Sequence, residues 1–170
     1  MSKPPKLSPH LVVTGGLAAI KFYEDAFDAD TQYLAMAEDG KRVMHAALEI
    51  NDGIIYLCDD FRANGKAAAK SAKPSDGCAG SVMIHLQFKK PKHVDRTIQQ
   101  AAEHGAEIVM PAEDAFWGDR YGQIRDPFGH IWTFGAALKH KDKMQPVEPV
   151  APAPPAKAPS PKSRARGSKV

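Results

Sequence analysis

One stretch of the chain, Phe116–Trp132, carries most of its fold information, and it has the sequence FWGDRYGQIRDPFGHIW. Arg120–Arg125 is predicted to be extended. Asp126-Pro127-Phe128-Gly129 is predicted to form the turn that follows, because proline fixes φ and glycine accepts a positive φ. His130–Phe134 then resumes a strand pattern that is rich in β-branched and aromatic residues. The stretch therefore predicts a loop followed by a β-hairpin.

Upstream of this hairpin, the order strand, helix and three strands occurs twice, which is an internal duplication. The first copy is predicted as strand 10–13, helix 17–27 and strands 31–37, 43–50 and 54–58. The second copy is predicted as strand 81–88, helix 92–104, strand 106–110 ended by Pro111, and the closing hairpin. Residues 61–79 are polar and punctuated by glycine, so we expect them to link the copies, with one helical turn at Ala67–Ala69.

Helical and strand spacing predict which positions face the core. Gly105 is expected to end the second helix, since glycine accepts the left-handed conformation found there. The predicted core positions are Leu17, Ile20 and Phe27 on the first helix, Val94, Ile98 and Ala101 on the second helix, and Trp132 and Phe134 on the last strand.

Residues 139–170 differ in composition from the rest of the chain. They hold eight Lys or Arg and two Asp or Glu, a net charge of 8 − 2 = +6, and seven prolines. Residues 1–138 then hold 15 basic and 18 acidic residues, a net charge of 15 − 18 = −3. Because residues 139–170 have few large apolar side chains, they are predicted to be a disordered tail. Residues 1–138 are predicted to form one domain, with halves at about 8–60 and 80–138.

The charge distribution and the cysteines narrow the class of protein. A mildly acidic folded part argues against a nucleic-acid-binding domain, although the basic tail leaves open a contact with nucleic acid or an anionic surface. Cys58 and Cys78 alone do not form a disulfide framework. With no signal-peptide pattern and no apolar run long enough for a membrane span, we expect a cytoplasmic location.

The duplicated pattern resembles the vicinal oxygen chelate superfamily, which includes glyoxalase I, fosfomycin and bleomycin resistance proteins, and extradiol dioxygenases. Within the superfamily, the chain is most similar to the PhnB-like branch. The resemblance extends over about residues 8–138. The residues that carry it are Pro9–Val13, Ala19–Phe27, Val43–Ile50, Phe116–Arg120 and Asp126–Trp132.

The resemblance implies an α+β fold in which two βαβββ modules form a cupped mixed sheet. It also implies a homodimer and a small-molecule ligand bound in the cup. A fold supports many activities, so the resemblance identifies neither the ligand nor a reaction.

In metal-dependent members of the superfamily, two His and two Glu residues hold a divalent cation. The resemblance puts these positions at His10, Tyr56, Met83 and Thr133 of this chain. His85 lies two residues after Met83 and shares its strand face. Because only His10 keeps the expected residue type, we expect no tightly held metal cofactor. The alternative ligand set is His10, His85 and Glu49, for Zn, Ni, Mn or Fe.

Two further groups of residues are candidates for chemistry or binding. His45 and Glu49 share one strand face and are candidate catalytic residues for general acid–base chemistry. The ligand-binding candidates are Tyr56, His85, Trp117, Asp119 and Arg120, of which the last three are predicted to lie in a loop at the rim of the cup.

Three hypotheses about function remain open at this point. The first is a PhnB-like protein that binds a small molecule without a metal. The second is a metal-dependent glyoxalase-like lyase or dioxygenase. The third is a dimeric binding module whose basic tail recruits an anionic partner.

Overall fold

The structure is a computed structural model that describes residues 7–61 and 82–139. It confirms the α+β class and the two βαβββ modules. The first module consists of β1 (His10–Val13), α1 (Gly16–Phe27), β2 (Asp30–Met36), β3 (Val43–Ile50) and β4 (Gly53–Asp59). The second consists of β5 (Met83–Phe88), α2 (Pro91–Glu103), β6 (Glu107–Asp114), β7 (Asp119–Arg125) and β8 (Ile131–Ala137).

Each module forms a four-stranded mixed sheet with the same topology. The strand orders are β1-β4-β3-β2 and β5-β8-β7-β6. In each sheet the first and last strands of the module pair in parallel, and the other neighbours pair antiparallel. We call β1–β4 the first sheet and β5–β8 the second sheet.

The predicted inward face of α1 is wrong at one position. Ile20 and Phe27 are buried, but the Leu17 side chain is 48% exposed. Gly16 takes the inward position of the first turn, because a Cβ there would lie only 2.7 Å from both a carboxylate oxygen of Asp59 and the Cβ of Val43. This close approach turns Leu17 toward solvent. The predicted core residues of α2 and of the last strand are all buried.

The second sheet differs from the sequence prediction at two strand ends. β6 continues through Pro111 to Asp114 instead of ending at the proline. β6 is an edge strand with a register shift between Met110 and Glu113, and at such a position proline's missing N–H costs no ladder hydrogen bond. In addition, β7 begins at Asp119, which confirms the extended segment predicted for Arg120–Arg125 and starts it one residue earlier. Asp119 and Arg120 therefore lie in a strand rather than in the rim loop predicted for ligand binding.

One aromatic core joins the two modules. The rings of Tyr23 and Phe27 on α1 lie 5.5 and 4.7 Å from the ring of Trp132 on β8, centroid to centroid. Phe27 also contacts Phe134 at 5.9 Å. Since α1 belongs to the first module and β8 to the second, these contacts make the halves one packed unit.

Several predictions concern residues outside the described ranges. They include nearly all of the 61–79 linker, the helical turn at Ala67–Ala69, and the tail after Lys139. Neither described helix is long and apolar enough to cross a bilayer.

Candidate functional site

Four aromatic side chains lie together on one face of the first sheet. We call His10, Tyr33, His45 and Tyr56 the aromatic face. The ring of His45 lies 5.8 Å from His10, 5.1 Å from Tyr56 and 6.0 Å from Tyr33, centroid to centroid. The strand pairing explains the grouping, because His10 is opposite Tyr56 and Tyr33 is opposite Ala47, which shares a strand face with His45.

The environment of the aromatic face favours the neutral form of the His10 imidazole. Desolvation and the neighbouring His45 both lower the pKa of His10. Glu49 lies four residues after His45 on β3, so it shares the same side of the sheet. The structure thus brings together the candidate residues His10, His45 and Tyr56, and places Glu49 on the same side of the sheet further along β3.

The second sheet holds its histidine through both ring nitrogens. Nδ1 of His85 lies 2.8 Å from Oγ1 of Thr133, and Nε2 lies 3.0 Å from Oε1 of Gln87. The amide oxygen of Gln87 is an acceptor, so Nε2 carries the proton and Nδ1 accepts from the Thr133 hydroxyl. A Cβ on Gly135 would lie 2.9 Å from Cε1 of His85, which shows how closely the imidazole covers that glycine.

A row of aromatic rings continues from His85 toward the β6–β7 turn. The ring of Tyr121 is nearly parallel to the His85 ring at 6.4 Å, and the Trp117 ring meets Tyr121 edge-on at 5.4 Å. Phe116 follows at 5.0 Å from Trp117 and is 91% exposed. The second sheet therefore offers a polar patch that is bordered by a row of aromatic rings.

A cleft of about 430 Å³ lies where the two sheets meet. Glu49 and His85 both line it, so the structure brings these two candidates from different modules to one cavity. The walls are mainly apolar. They consist of Leu7, Pro9, Ile50, Ile54, Ile55, Ile84 and Leu86, with Asp52 and Gly53 at the β3–β4 turn. Ligand pockets commonly combine apolar walls with a few polar groups in this way.

Arg120 does not join the other ligand-binding candidates. Its guanidinium forms ion pairs with Asp95 of α2 at 2.6 Å and with Asp114 at 3.0 Å, and these contacts raise the pKa of Arg120. The side chain thus points to the helix side of the second sheet, whereas His85 and Tyr121 lie on the other side. Asp119 opens β7 opposite Ala137.

The residues at the family's metal positions do not fit a metal site. Tyr56 on β4 lies opposite His10 on β1, and Thr133 on β8 lies opposite His85 on β5. Hydroxyl groups therefore occupy the two positions at which the metal-dependent members have carboxylates. Both ring nitrogens of His85 already have protein partners. Within residues 7–61 and 82–139, no group of three or more His, Cys, Asp or Glu side chains is arranged to hold a metal ion.

Asp126 has a structural role beyond the predicted turn. Its Oδ1 accepts from the backbone N–H groups of Phe128 and His130, and its Oδ2 accepts from the Tyr23 hydroxyl at 2.7 Å and from Nε1 of Trp132 at 2.9 Å. Desolvation alone would raise the pKa of Asp126, but the contact with His130 and the Trp132 and Tyr23 hydrogen bonds lower it.

Asp59 has a similar structural role in the first module. Its buried carboxylate accepts backbone N–H groups from Gly15, Gly16 and Val43, and so holds the start of α1 against β3 and β4. In the sequence, Asp59 and Asp126 are recognisable only as acidic residues that directly follow predicted strands. Their partners, which lie up to 103 positions away in sequence, were not predictable from local spacing.

The fold and the cleft together define a duplicated βαβββ protein with a small-molecule-sized cavity between its modules. The family model of the Glyoxalase/Bleomycin resistance protein/Dioxygenase superfamily matches residues 10–134. The chain therefore belongs to this superfamily, as its motifs indicated.

Known proteins agree with this assignment. An uncharacterised protein of Mycobacterium bovis is 42% identical over 143 residues, which cover 83% of this chain and 90% of that protein. Among solved structures, TioX from Micromonospora sp. ML1 has a TM-score of 0.58 and 24% identity, covering 79% of this chain and all of TioX. A PhnB protein from Bacillus cereus has a TM-score of 0.60 and 17% identity, covering 78% of this chain and all of that one. At these identities the structural matches show a shared fold.

Proposed function

We propose that this protein is a PhnB-like member of the superfamily that binds a small organic molecule in the cleft between its two sheets, without a tightly held metal. The ligand contacts that we assign within the cleft are His85 and Glu49, which line it. Tyr121 and Trp117 continue from His85 along the second sheet, and Tyr56 lies with the other rings of the aromatic face on the first sheet; we propose these rings as contacts for parts of the ligand that extend out of the cavity. Glu49 lies at the junction. Arg120 is left out, because Asp95 and Asp114 already hold its guanidinium.

One observation carries the metal-free part of this proposal. His85 is held at Nδ1 by Thr133 and at Nε2 by Gln87, so neither nitrogen has a lone pair directed at an open coordination position. A metal ligand must offer such a lone pair. In this arrangement, His85 instead presents a fixed ring whose flat side stacks on Tyr121.

Native mass spectrometry and tryptophan fluorescence test the proposal. Native mass spectrometry of the purified full chain should detect a bound organic molecule, and adding that molecule back to stripped protein should quench tryptophan emission. The chain has two tryptophans, of which Trp132 is fully buried, so quenching should disappear in Trp117→Phe. Thr133→Val keeps the side-chain shape but frees Nδ1 of His85, and should weaken binding roughly tenfold. Absence of any bound molecule would refute the proposal. Where a molecule is found, unchanged affinity in Thr133→Val would refute the role of His85.

The rival function is a metal-dependent glyoxalase-like lyase or dioxygenase that uses His10, His85 and Glu49. One observation favours it, which is that Glu49 and His85 line the same cleft. In that case His45 and Glu49 become the candidates for acid–base chemistry. Metal analysis separates the two functions, because the rival requires His85 to exchange its Thr133 or Gln87 partner for a metal ion.

We also propose that the protein is a cytoplasmic homodimer. Exposed apolar side chains on β2, Tyr33 and Leu34, and on β6, Ile108 and Val109, support a self-association surface along the sheet edges. Sedimentation of the full chain tests the dimer. Loss of a salt-sensitive interaction on truncation after Leu138 would indicate a tail partner.

A further inference from the structure

We propose that the proline-rich segment 146–155 of this chain docks on the exposed aromatic rings of the second sheet. We call Phe116, Trp117, Tyr121 and His85 the aromatic row. The segment lies outside the described residues, and three observations point to it as the occupant: its proline spacing, the place where the described chain ends, and the charge on both sides. The inference goes beyond the proposed function, because it assigns an occupant to these rings that is independent of any ligand in the cleft.

The aromatic row is open to solvent at its outer end. Phe116 is 91% exposed and Trp117 is 39% exposed. Their ring planes meet at 84°, and those of Trp117 and Tyr121 meet at 75°, so the outer part of the row contains notches between edge-on rings. Exposed aromatic surfaces of this kind are where proline-rich peptides dock in SH3 and WW domains.

The aromatic row also offers hydrogen-bond donors. The Tyr121 hydroxyl accepts from Nε2 of Gln123 at 3.1 Å, so its own proton is available to an acceptor. Within residues 7–61 and 82–139, Nε1 of Trp117 has no hydrogen-bond partner. The backbone carbonyls of a polyproline II helix have no internal partners, so a peptide in this conformation supplies the acceptors that both donors lack.

The proline spacing fits such a peptide. From position 146 to position 155 every third residue is a proline, namely Pro146, Pro149, Pro152 and Pro155. A polyproline II helix has three residues per turn and rises about 3.1 Å per residue, so these prolines share one face and recur about every 9 Å. This interval is comparable to two steps of the aromatic row, whose neighbouring rings lie 5.0, 5.4 and 6.4 Å apart.

The described chain ends beside the aromatic row. Ala137 pairs with Asp119, and Leu138 donates its backbone N–H to the carbonyl oxygen of Gly118 at 2.9 Å. Gly118 directly follows Trp117, so the end of β8 lies next to the exposed rings. Residues 140–145 connect this end to Pro146, and six residues can span up to about 20 Å. The segment can therefore reach the row from its own chain.

Charge favours the same occupant. The turn that carries Phe116 and Trp117 is flanked by three carboxylates, those of Glu113, Asp114 and Asp119. Among the described residues only Asp114 of these forms an ion pair, with Arg120. The residues that lead to the proline segment are basic, with Asp142 outnumbered by Lys139, Lys141 and Lys143. Opposite charges on the turn and on this connection attract each other and bring the segment to the rings.

Acrylamide quenching of tryptophan fluorescence in the full chain tests the docking. Trp132 is fully buried, so this neutral quencher reports mainly on Trp117. Replacing two prolines of the proposed face, by Pro149→Ala with Pro152→Ala, should raise the quenching constant about twofold. The matched control, Pro154→Ala with Pro159→Ala, removes two prolines that lie off this face and should leave the constant unchanged. Adding Trp117→Phe to each chain should abolish the difference.

A synthetic peptide of residues 144–157 gives a second measurement. A short connection provides an effective concentration in the millimolar range, so the peptide should bind the full-chain Pro149→Ala, Pro152→Ala variant with a Kd below roughly 1 mM. Saturable protection of Trp117 from acrylamide measures this binding.

Several results would overturn the inference. They are equal quenching constants for the wild-type chain and the Pro149→Ala, Pro152→Ala variant, equal increases in both proline variants, or no saturable peptide binding up to about 5 mM. Protection of Trp117 that is lost on dilution would also overturn it, because the tail of a second copy would then cover the rings. None of these results bears on ligand binding in the cleft, which the co-purification experiment decides.

Discussion

Tyr23→Phe tests whether the buried carboxylate of Asp126 holds the two modules together. The Tyr23 side chain is fully buried, and its hydroxyl donates to Oδ2 of Asp126 at 2.7 Å. Phenylalanine fills nearly the same volume, so the substitution removes one of four hydrogen bonds to the carboxylate and opens almost no cavity. A hydrogen bond to a charged buried group contributes about 1.5–3 kcal/mol, so the free energy of unfolding should fall by roughly 2 kcal/mol.

Urea denaturation at neutral pH, followed by circular dichroism, measures this change. Tyr33→Phe is the matched control, because the Tyr33 side chain is 57% exposed and its loss of a hydroxyl should cost less than about 0.5 kcal/mol. Equal unfolding free energies for Tyr23→Phe and the wild-type chain would refute the inter-module role of this contact.

The wild-type chain and Tyr23→Phe should lose stability differently as the pH falls. The folded-state pKa of Asp126 is lowered from the ordinary value of 3.8, so the ionised carboxylate stabilises the fold above that value. This stabilisation is lost as the pH falls through the folded-state pKa. In Tyr23→Phe the folded-state pKa is less depressed, so the loss begins at the same unfolded-state value but is complete at a higher pH. Below both pKa values the contact is neutral and worth about 1 kcal/mol, so the stability gap should shrink.

Three further substitutions separate site residues from structural ones. Gly135→Ala places a Cβ 2.9 Å from the His85 ring and should weaken ligand binding at least about fivefold while the protein stays folded, as measured by titration and circular dichroism. Arg120→Ala should leave ligand affinity unchanged within about twofold, because Arg120 is paired with Asp95. A large loss of affinity would show that Arg120 contacts the ligand. Gly122→Ala places a Cβ 3.1 Å from backbone atoms of β6, and should cost about 1–3 kcal/mol in thermal or urea unfolding.

The fold was predictable from local sequence because its signals are local. The Asp126–Gly129 turn and the alternation of strand residues around it depend on neighbouring positions, and the duplicated order repeats the same signals. β6 was predicted too short because tolerance of Pro111 depends on its place at the sheet edge, which only the topology defines. Leu17 was assigned to the wrong side because Gly16 sets the rotation of α1 through a contact with Asp59, which lies 43 residues away.

The candidate site was predictable only where its signals lie in neighbouring positions of the sequence. The alternation of strand residues correctly grouped His45 with Glu49, and His85 was noted for its shared face with Met83. Sequence alone did not show that His85 binds Thr133 and Gln87, because the parallel pairing of β5 with β8 brings residues 48 positions apart into contact. The ion pair of Arg120 with Asp95 likewise depends on how α2 packs on the second sheet.

Metal content is the measurement that tests the central claim most directly. The full chain, purified without chelator, should contain far less than one equivalent of Zn, Ni, Mn or Fe by elemental analysis, and its ligand affinity should be the same before and after treatment with EDTA. The contradicting result is one equivalent of such a metal that is lost in His10→Ala, together with ligand binding that EDTA abolishes and added metal restores.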